Sequence, residues 1–213
     1  MSDEVSILID NNSITGWKSV VISRSAESIP NAFAVTCAEP FPDEPTKIIA
    51  NPGSPVVVRI GKDTVLTGYV DRYDASMTPH SHEVMITGRG LCGDLVDCSA
   101  DIINAPAPKP GQATIKGGMG SAPNTLALAS LLASPFGIKA RSAVADLGPV
   151  IPNFQIALGE TPYEIIAKVA QYCGYLVYED EYGMLVLDRV GTESHISGIA
   201  QGKTSPLCIF NHR

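Results

Sequence analysis

The chain has 213 residues and a mass of 22.5 kDa, enough for one or two domains with a sizeable core. Apolar residues make up 45% and charged residues 17%, which excludes a disordered chain. The net charge of −7, the pI near 5.0 and the scatter of only 15 Lys and Arg exclude general attraction to phosphate backbones and disfavour anionic membrane surfaces, so neither specific nucleic-acid binding nor direct membrane insertion is expected.

Glycine (19) and proline (16) together exceed their usual share of about 12% and predict many turns and short strands. Met1-Ser2-Asp3-Glu4 offers neither the basic start nor the apolar stretch of a secretory signal. The longest uncharged run lies between Lys116 and Lys139. Gly117, Gly118, Gly120, Pro123, Pro135 and Gly137 interrupt it, so it reads as a loop and a short helix, not a bilayer span. Five cysteines, Cys37, Cys92, Cys98, Cys173 and Cys208, without a CxxC, predict free and mostly buried thiols in a reducing compartment.

Residues 5–97 read as β. A short apolar run at 6–10 ends in Asn11-Asn12, and a Val- and Ile-rich strand follows at 17–24. Residues 32–39 alternate cleanly, with Phe33, Val35 and Cys37 on one face. Strands at 56–60 and 64–74 flank Gly61-Lys62-Asp63, a tight hairpin turn, and another strand occupies 83–89. Six or so short strands with Gly and Pro punctuation predict a small antiparallel barrel or sandwich over residues 1–100. Residues 101–123 form a Pro- and Gly-rich connection, with four prolines and four glycines in 104–123 and little periodicity.

An α+β part is predicted over 124–190. Asn124 caps a first helix with a narrow stripe of Leu128, Leu131 and Leu132, and Gly137 lies past its end. The second helix has the clearest local signal: Thr161 as N-cap, Pro162 at the first helical position and Glu164 at the third form a capping box. Ile166, Val169, Ala170 and Cys173 share its apolar face, and Gly174 ends it. Two strands, 175–178 and 184–190, flank the acidic turn 179–183, expected to be solvated. Residues 191–213 hold at most a short apolar strand at 207–210.

No catalytic constellation stands out. Gly202-Lys203-Thr204 resembles the end of a phosphate-binding loop, but the required earlier glycine is Ser197. Gly111 to Gly120 lacks GxGxxG spacing. His80 and His82 are two ligands without a third, and Cys92 and Cys98 are as sparsely accompanied, so no metal site is expected. No serine sits in a GxSxG elbow, His212 lies in the tail, and Glu179 and Glu181 carry no mark of a glycosidase pair. The residues alone point to binding or structural assembly, with no catalytic, cofactor-binding or metal residue.

Four segments in order resemble the tail proteins of Mu-like phages and prophages that form the baseplate hub of contractile tails. They are Ile14-Thr15-Gly16-Trp17 with Val20-Val21-Ile22-Ser23-Arg24-Ser25 and Phe33; Thr67-Gly68-Tyr69-Val70-Asp71; Ile86-Thr87-Gly88-Arg89-Gly90 leading to Asp94-Leu95-Val96-Asp97-Cys98-Ser99-Ala100; and Leu158-Gly159-Glu160-Thr161-Pro162, its helix, and Tyr182-Gly183-Met184-Leu185-Val186-Leu187. The resemblance implies a mainly β fold: an N-terminal barrel of tail-tube or hub type, then an α+β domain. It implies a homotrimer that joins the tail tube protein to the tail spike protein and meets other baseplate proteins, located in the virion after assembly in the bacterial host cytoplasm. It implies no catalytic residues and no cofactors. Barrel-edge strands and the loop 104–123 are the expected contact surfaces. The family continues past residue 213 into a second barrel, whereas the pattern here fades after Val190-Gly191. The expectation is a shortened chain, with 191–213 the start of a truncated second barrel and three barrels per trimer instead of six. The alternative is an enzyme or small-ligand protein with a cleft beside helix 161–173.

Overall fold

The computed structural model describes residues 5–10, 12–14, 17–38, 50–78, 81–100, 113–116 and 118–190. Strands β1 (Val5–Ile9), β2 (Asn12–Ile14), β3 (Trp17–Ser23), β4 (Ala32–Ala38), β5 (Pro55–Ile60), β6 (Asp63–Thr78) and β7 (Ser81–Gly90) form one antiparallel sheet in the order β2-β1-β5-β6-β7-β4-β3. The alternation of β4 places Phe33, Val35 and Cys37 on the inner face with Ile7, Ile9, Val56, Val58, Leu66 and Ile86, and all are buried in one core. Ile60 opposite Asp63 leaves Gly61-Lys62 as a two-residue hairpin turn, one residue tighter than the sequence suggests.

The expected closed barrel is not observed. The hydrogen-bonded ladder is open, with β2 and β3 at its two ends and no pairing between them among the described residues. The sheet is nevertheless curled. Ile14 ends β2 and Trp17 begins β3, and three peptide units reach at most about 11 Å. Seven flat strands would hold those ends far further apart, at nearly 5 Å per strand interval. Of the sheet's two edges, β3 is the long one, with seven residues against three in β2.

A 3₁₀ turn at Leu91–Gly93 and the short helix α1 (Asp94–Asp97) lead out of β7. Within the stretch expected to be an irregular connection, β8 (Thr114–Lys116) and β9 (Met119–Ala122) form a hairpin. Residues 101–112 and 117 lie outside the described residues. Then come α2 (Thr125–Ala133), β10 (Ala140–Ser142), β11 (Ile151–Gln155), α3 (Pro162–Tyr172), β12 (Leu176–Glu179) and β13 (Leu185–Asp188). They make two three-stranded sheets, β11-β9-β8 and β10-β13-β12, with β10 parallel to β13. The segment 191–213, with the 207–210 strand expected from its sequence, lies outside the described residues.

Both helices start as their caps dictate. Asn124 Oδ1 accepts from the Ala127 amide at 2.8 Å. Thr161 Oγ1 accepts from the Glu164 amide at 3.2 Å, and Glu164 Oε2 accepts from the Thr161 amide at 2.9 Å, completing the capping box. Ile165, Ile166 and Ala170 are the buried face of α3, while Val169 and Cys173 pack at its margin. Gly174 follows in the left-handed conformation expected of a helix stop.

The second hydrophobic core is not confined to the later residues. Leu128, Leu132, Ile165, Ile166, Val177, Leu185 and Leu187 pack there with Ile29, Cys92 and Leu95 from the first part of the chain. Replacing Thr161 with Ala removes the cap oxygen from the Glu164 amide, and the expected outcome is a loss of about 0.5–2 kcal/mol with the fold retained, measured by urea unfolding.

Candidate functional site: the junction around Glu179

The acidic turn expected to be solvated begins with two buried carboxylates. Glu179 is 1% exposed and Asp180 2% exposed. Strand parity causes this. Along β12 every second side chain faces the core, so Glu179 follows Val177 onto the inward face. Its carboxylate crosses to the seven-stranded unit. Oε2 accepts from the Asn31 amide at 2.8 Å and Oε1 accepts from the Cys92 amide at 2.9 Å. Asn31 answers in the other direction, its Nδ2 donating to the Glu179 carbonyl at 3.1 Å. The Gly90 amide donates to the Asn31 carbonyl at 2.8 Å, so the end of β7 is tied into the same network.

Burial pushes the Glu179 carboxyl above the usual glutamate range; the amides of Cys92 and Asn31 pull it the other way, and burial prevails. The Cys92 thiol is likewise pushed up, first by burial and then by the facing Glu179 and Asp180 carboxylates, and its Sγ lies 3.7 Å from the Gly183 carbonyl. Such a thiol is a core group, not a nucleophile. Asp180 turns away from the junction: it accepts from the amides of Tyr182 and Met184 at 3.0 and 2.8 Å and pairs with Arg141 at 3.1 Å, closing the β12–β13 turn.

Two glycines allow the close approach. A Cβ on Gly90 would overlap the Glu179 carboxylate. Gly183 combines a φ of +78° with contact against Leu91, where a Cβ would come within 2.6 Å of the side chain. At the rim, Thr67 Oγ1 donates to the Glu181 carbonyl at 2.9 Å and Arg24 reaches the Glu181 carboxylate at 3.4 Å. On the far side, the Ala100 amide donates to the carbonyl of Glu160 at 2.9 Å, and the Glu160 carboxylate pairs with Lys168, whose hydrogen bond holds it below the usual carboxylate range.

Beside the junction lies an open cleft of about 480 Å³ bounded by Tyr69, Asp71, Arg89 and Asp94. Its guanidinium is committed: Arg89 bonds Asp71 and Asp97, each at 2.6 Å, and these bonds raise its own affinity for its proton and lower that of Asp97 for one. Among the described residues no Ser, Cys, His or Lys lines the cleft. His82 falls in β7, Cys98 is exposed and Cys92 buried, and among the described residues no group of three His, Cys, Asp or Glu side chains could hold a metal ion. His80, Gly202-Lys203-Thr204, Cys208 and His212 lie outside the described residues, as do 111, 112 and 117 of the stretch Gly111 to Gly120, the rest of which leads into and forms the β8–β9 hairpin. Among the described residues no helix is long and apolar enough to cross a membrane.

These features define a structural module, two units locked by a buried polar joint. Comparison with known proteins gives the same class. Residues 4–90 match the family model for the N-terminal part of the Mu phage baseplate assembly protein GpP-like family, and residues 110–189 match the second domain of the baseplate hub protein gp44-like family. The two matched segments are thus domains of the Mu-like phage baseplate hub type. It is 29% identical over 194 residues to baseplate hub protein gp44 of Escherichia phage Mu, covering 90% of this chain and 47% of that protein. The tail protein of prophage MuSo2 from Shewanella oneidensis superposes with a TM-score of 0.75 at 29% identity, covering 90% of this chain and 56% of that one. The tail protein from Neisseria meningitidis MC58 shares the fold, with a TM-score of 0.66 at 24% identity over 86% of this chain and 50% of that one. The chain thus spans about half the length of the relatives it matches.

Replacing Glu179 with Ala strands the buried amides of Asn31 and Cys92. Each costs about 1–3 kcal/mol, and the summed loss is expected as a lower urea midpoint. Gly90→Ala is expected to destabilise in the same direction by displacing the carboxylate that fills the site.

Proposed function

We propose that this chain is a structural subunit of the baseplate hub in a contractile phage or prophage tail, forming a homotrimer that joins the tail tube to the central spike. The observation that carries the reading is the order and extent of the two hub-domain matches, 4–90 and then 110–189, on units clasped through Glu179. In this reading the curled seven-stranded sheet is the hub's tail-tube-type barrel module, occupying 1–100. The α+β unit that follows includes the β8–β9 hairpin, which pairs with β11, and runs to residue 190. The chain works by symmetric assembly, not catalysis. It resides in the virion, after assembly in the host cytoplasm, in contact with spike, tube and other baseplate proteins.

The edge strand β3 is the element best suited to meet a neighbouring copy. It is seven residues long, contains no proline, and carries Val21 at 59% exposure. Past the irregularity between Trp17 and Ser19, this edge offers a row of backbone donors and acceptors to an incoming strand. Sedimentation analysis of the purified chain is expected to give three times the monomer mass. Val21→Lys is expected to shift it to the monomer with the circular dichroism spectrum of the folded chain unchanged. A chain that stays monomeric at every concentration, and ignores both tube and spike proteins, would overturn the reading.

A further inference from the structure

Among the described residues no cation pairs with the buried Glu179 carboxyl. The arginines nearby are engaged elsewhere, Arg141 on Asp180 and Arg24 on Glu181. The groups that face it from the elements packed around it are the Cys92 thiol, which hydrogen-bonds it, and, further out, the Asp180 carboxylate; the two amides and that thiol favour its negative charge, and burial outweighs them. A second observation comes from its partner. Asn31 is 1% exposed, and it meets Glu179 twice, through its backbone amide and through Nδ2. The donation by Nδ2 fixes which way the amide group points. The remaining atom, Oδ1, is buried with no hydrogen-bond donor. Buried acceptors without donors are rare in native folds, and each calls for an explanation.

We propose that the Glu179 carboxyl keeps its proton in the folded chain and donates it to Asn31 Oδ1, making the joint between the seven-stranded sheet and the α+β unit a proton-dependent clasp. The protonated group satisfies three partners at once: its two oxygens still accept from Asn31 and Cys92, and its O–H supplies the donor that Oδ1 lacks. Loss of the proton leaves an unpaired buried charge beside Asp180 and returns Oδ1 to its orphan state. A carboxyl that binds its proton more tightly folded than unfolded stabilises the fold fully at low pH. That stabilisation is lost as pH rises from the unfolded value, near 4.5, through the folded one. The clasp therefore loosens toward alkaline pH. This is the opposite of what the ion-paired carboxylates Asp97 and Glu160 contribute, which weaken on acidification.

The decisive measurement is a carbon-13 NMR titration of the full chain labelled at glutamate side-chain carboxyls, with Glu179→Gln used to assign the resonance. The expected result is a Glu179 midpoint above that of every other described glutamate. In Asn31→Ala, which removes the proton acceptor, the midpoint is expected to fall toward the ordinary range. Urea unfolding supplies a second readout: the folding equilibrium of the wild type relative to Glu179→Gln should fall by up to tenfold per pH unit across the titration window. A Glu179 resonance ionised at the usual glutamate pH, or a midpoint indifferent to Asn31→Ala, overturns the proposal. Should Glu179→Gln fail to fold, the wild-type and Asn31→Ala titrations decide alone. None of these outcomes depends on whether the chain forms a trimer.

Discussion

The backbone amides of Asn31 and Cys92 leave the seven-stranded unit pointing at a place that water does not reach. A buried donor must be answered, and the answer comes from a single side chain far along the sequence. Glu179 reaches them only because β12 has the parity that turns it inward after Val177. The approach is possible only because position 90 carries no side chain and position 183 can adopt a left-handed turn against Leu91. The joint thus fixes the end of β7, the entry to β4 and the β12–β13 turn together. The apolar contacts of Ile29, Cys92 and Leu95 with α3 and β13 enclose it.

Much of this was legible residue by residue. Alternation at 32–38 gives β4 and its buried face, because a period of two over seven residues has few other meanings. The capping box at Thr161 and Glu164 is equally explicit, since its two side-chain bonds are local and need no tertiary partner. The strands β2, β8 and β10 escaped notice because three residues are too few to show a period, and each exists only because a neighbour pairs with it. β9 and β11 were hidden by glycine and proline, which ordinarily argue for loops. Glu179 was misjudged for a different reason. Two charged neighbours next to Tyr182-Gly183 look like a solvated hairpin tip, yet the parity of Val177 already placed position 179 inside. The barrel expectation captured the antiparallel order but not the open ladder: among the described residues its two edges, β2 and β3, are neighbours in sequence and yet do not pair.

The family matches divide the chain where the structure joins it. Asn31 lies in the segment matched by one model and Glu179 in the segment matched by the other, while Cys92 falls between the two. A comparison made one segment at a time sees neither the acceptor's partners nor the donors' acceptor. The joint becomes visible only when both are placed in one body.

The sequence separations of these bonds set a constraint in time. The bonds of Glu179 to Asn31 and Cys92 span 148 and 87 residues, so neither can form until β12 has been synthesised. Leu95 and Cys92 leave the ribosome long before α3 and β13, the elements that bury them, and the apolar wedge at 91–97 must wait uncovered. Contacts of such long loop closure form slowly and late. The first unit can curl on its own early, whereas its correct exit from β7 is settled only when nearly the whole described chain is present. A nascent chain of this protein is therefore sticky at one defined spot until β12 and β13 arrive. Completion of the β12–β13 hairpin is the event that hides that spot.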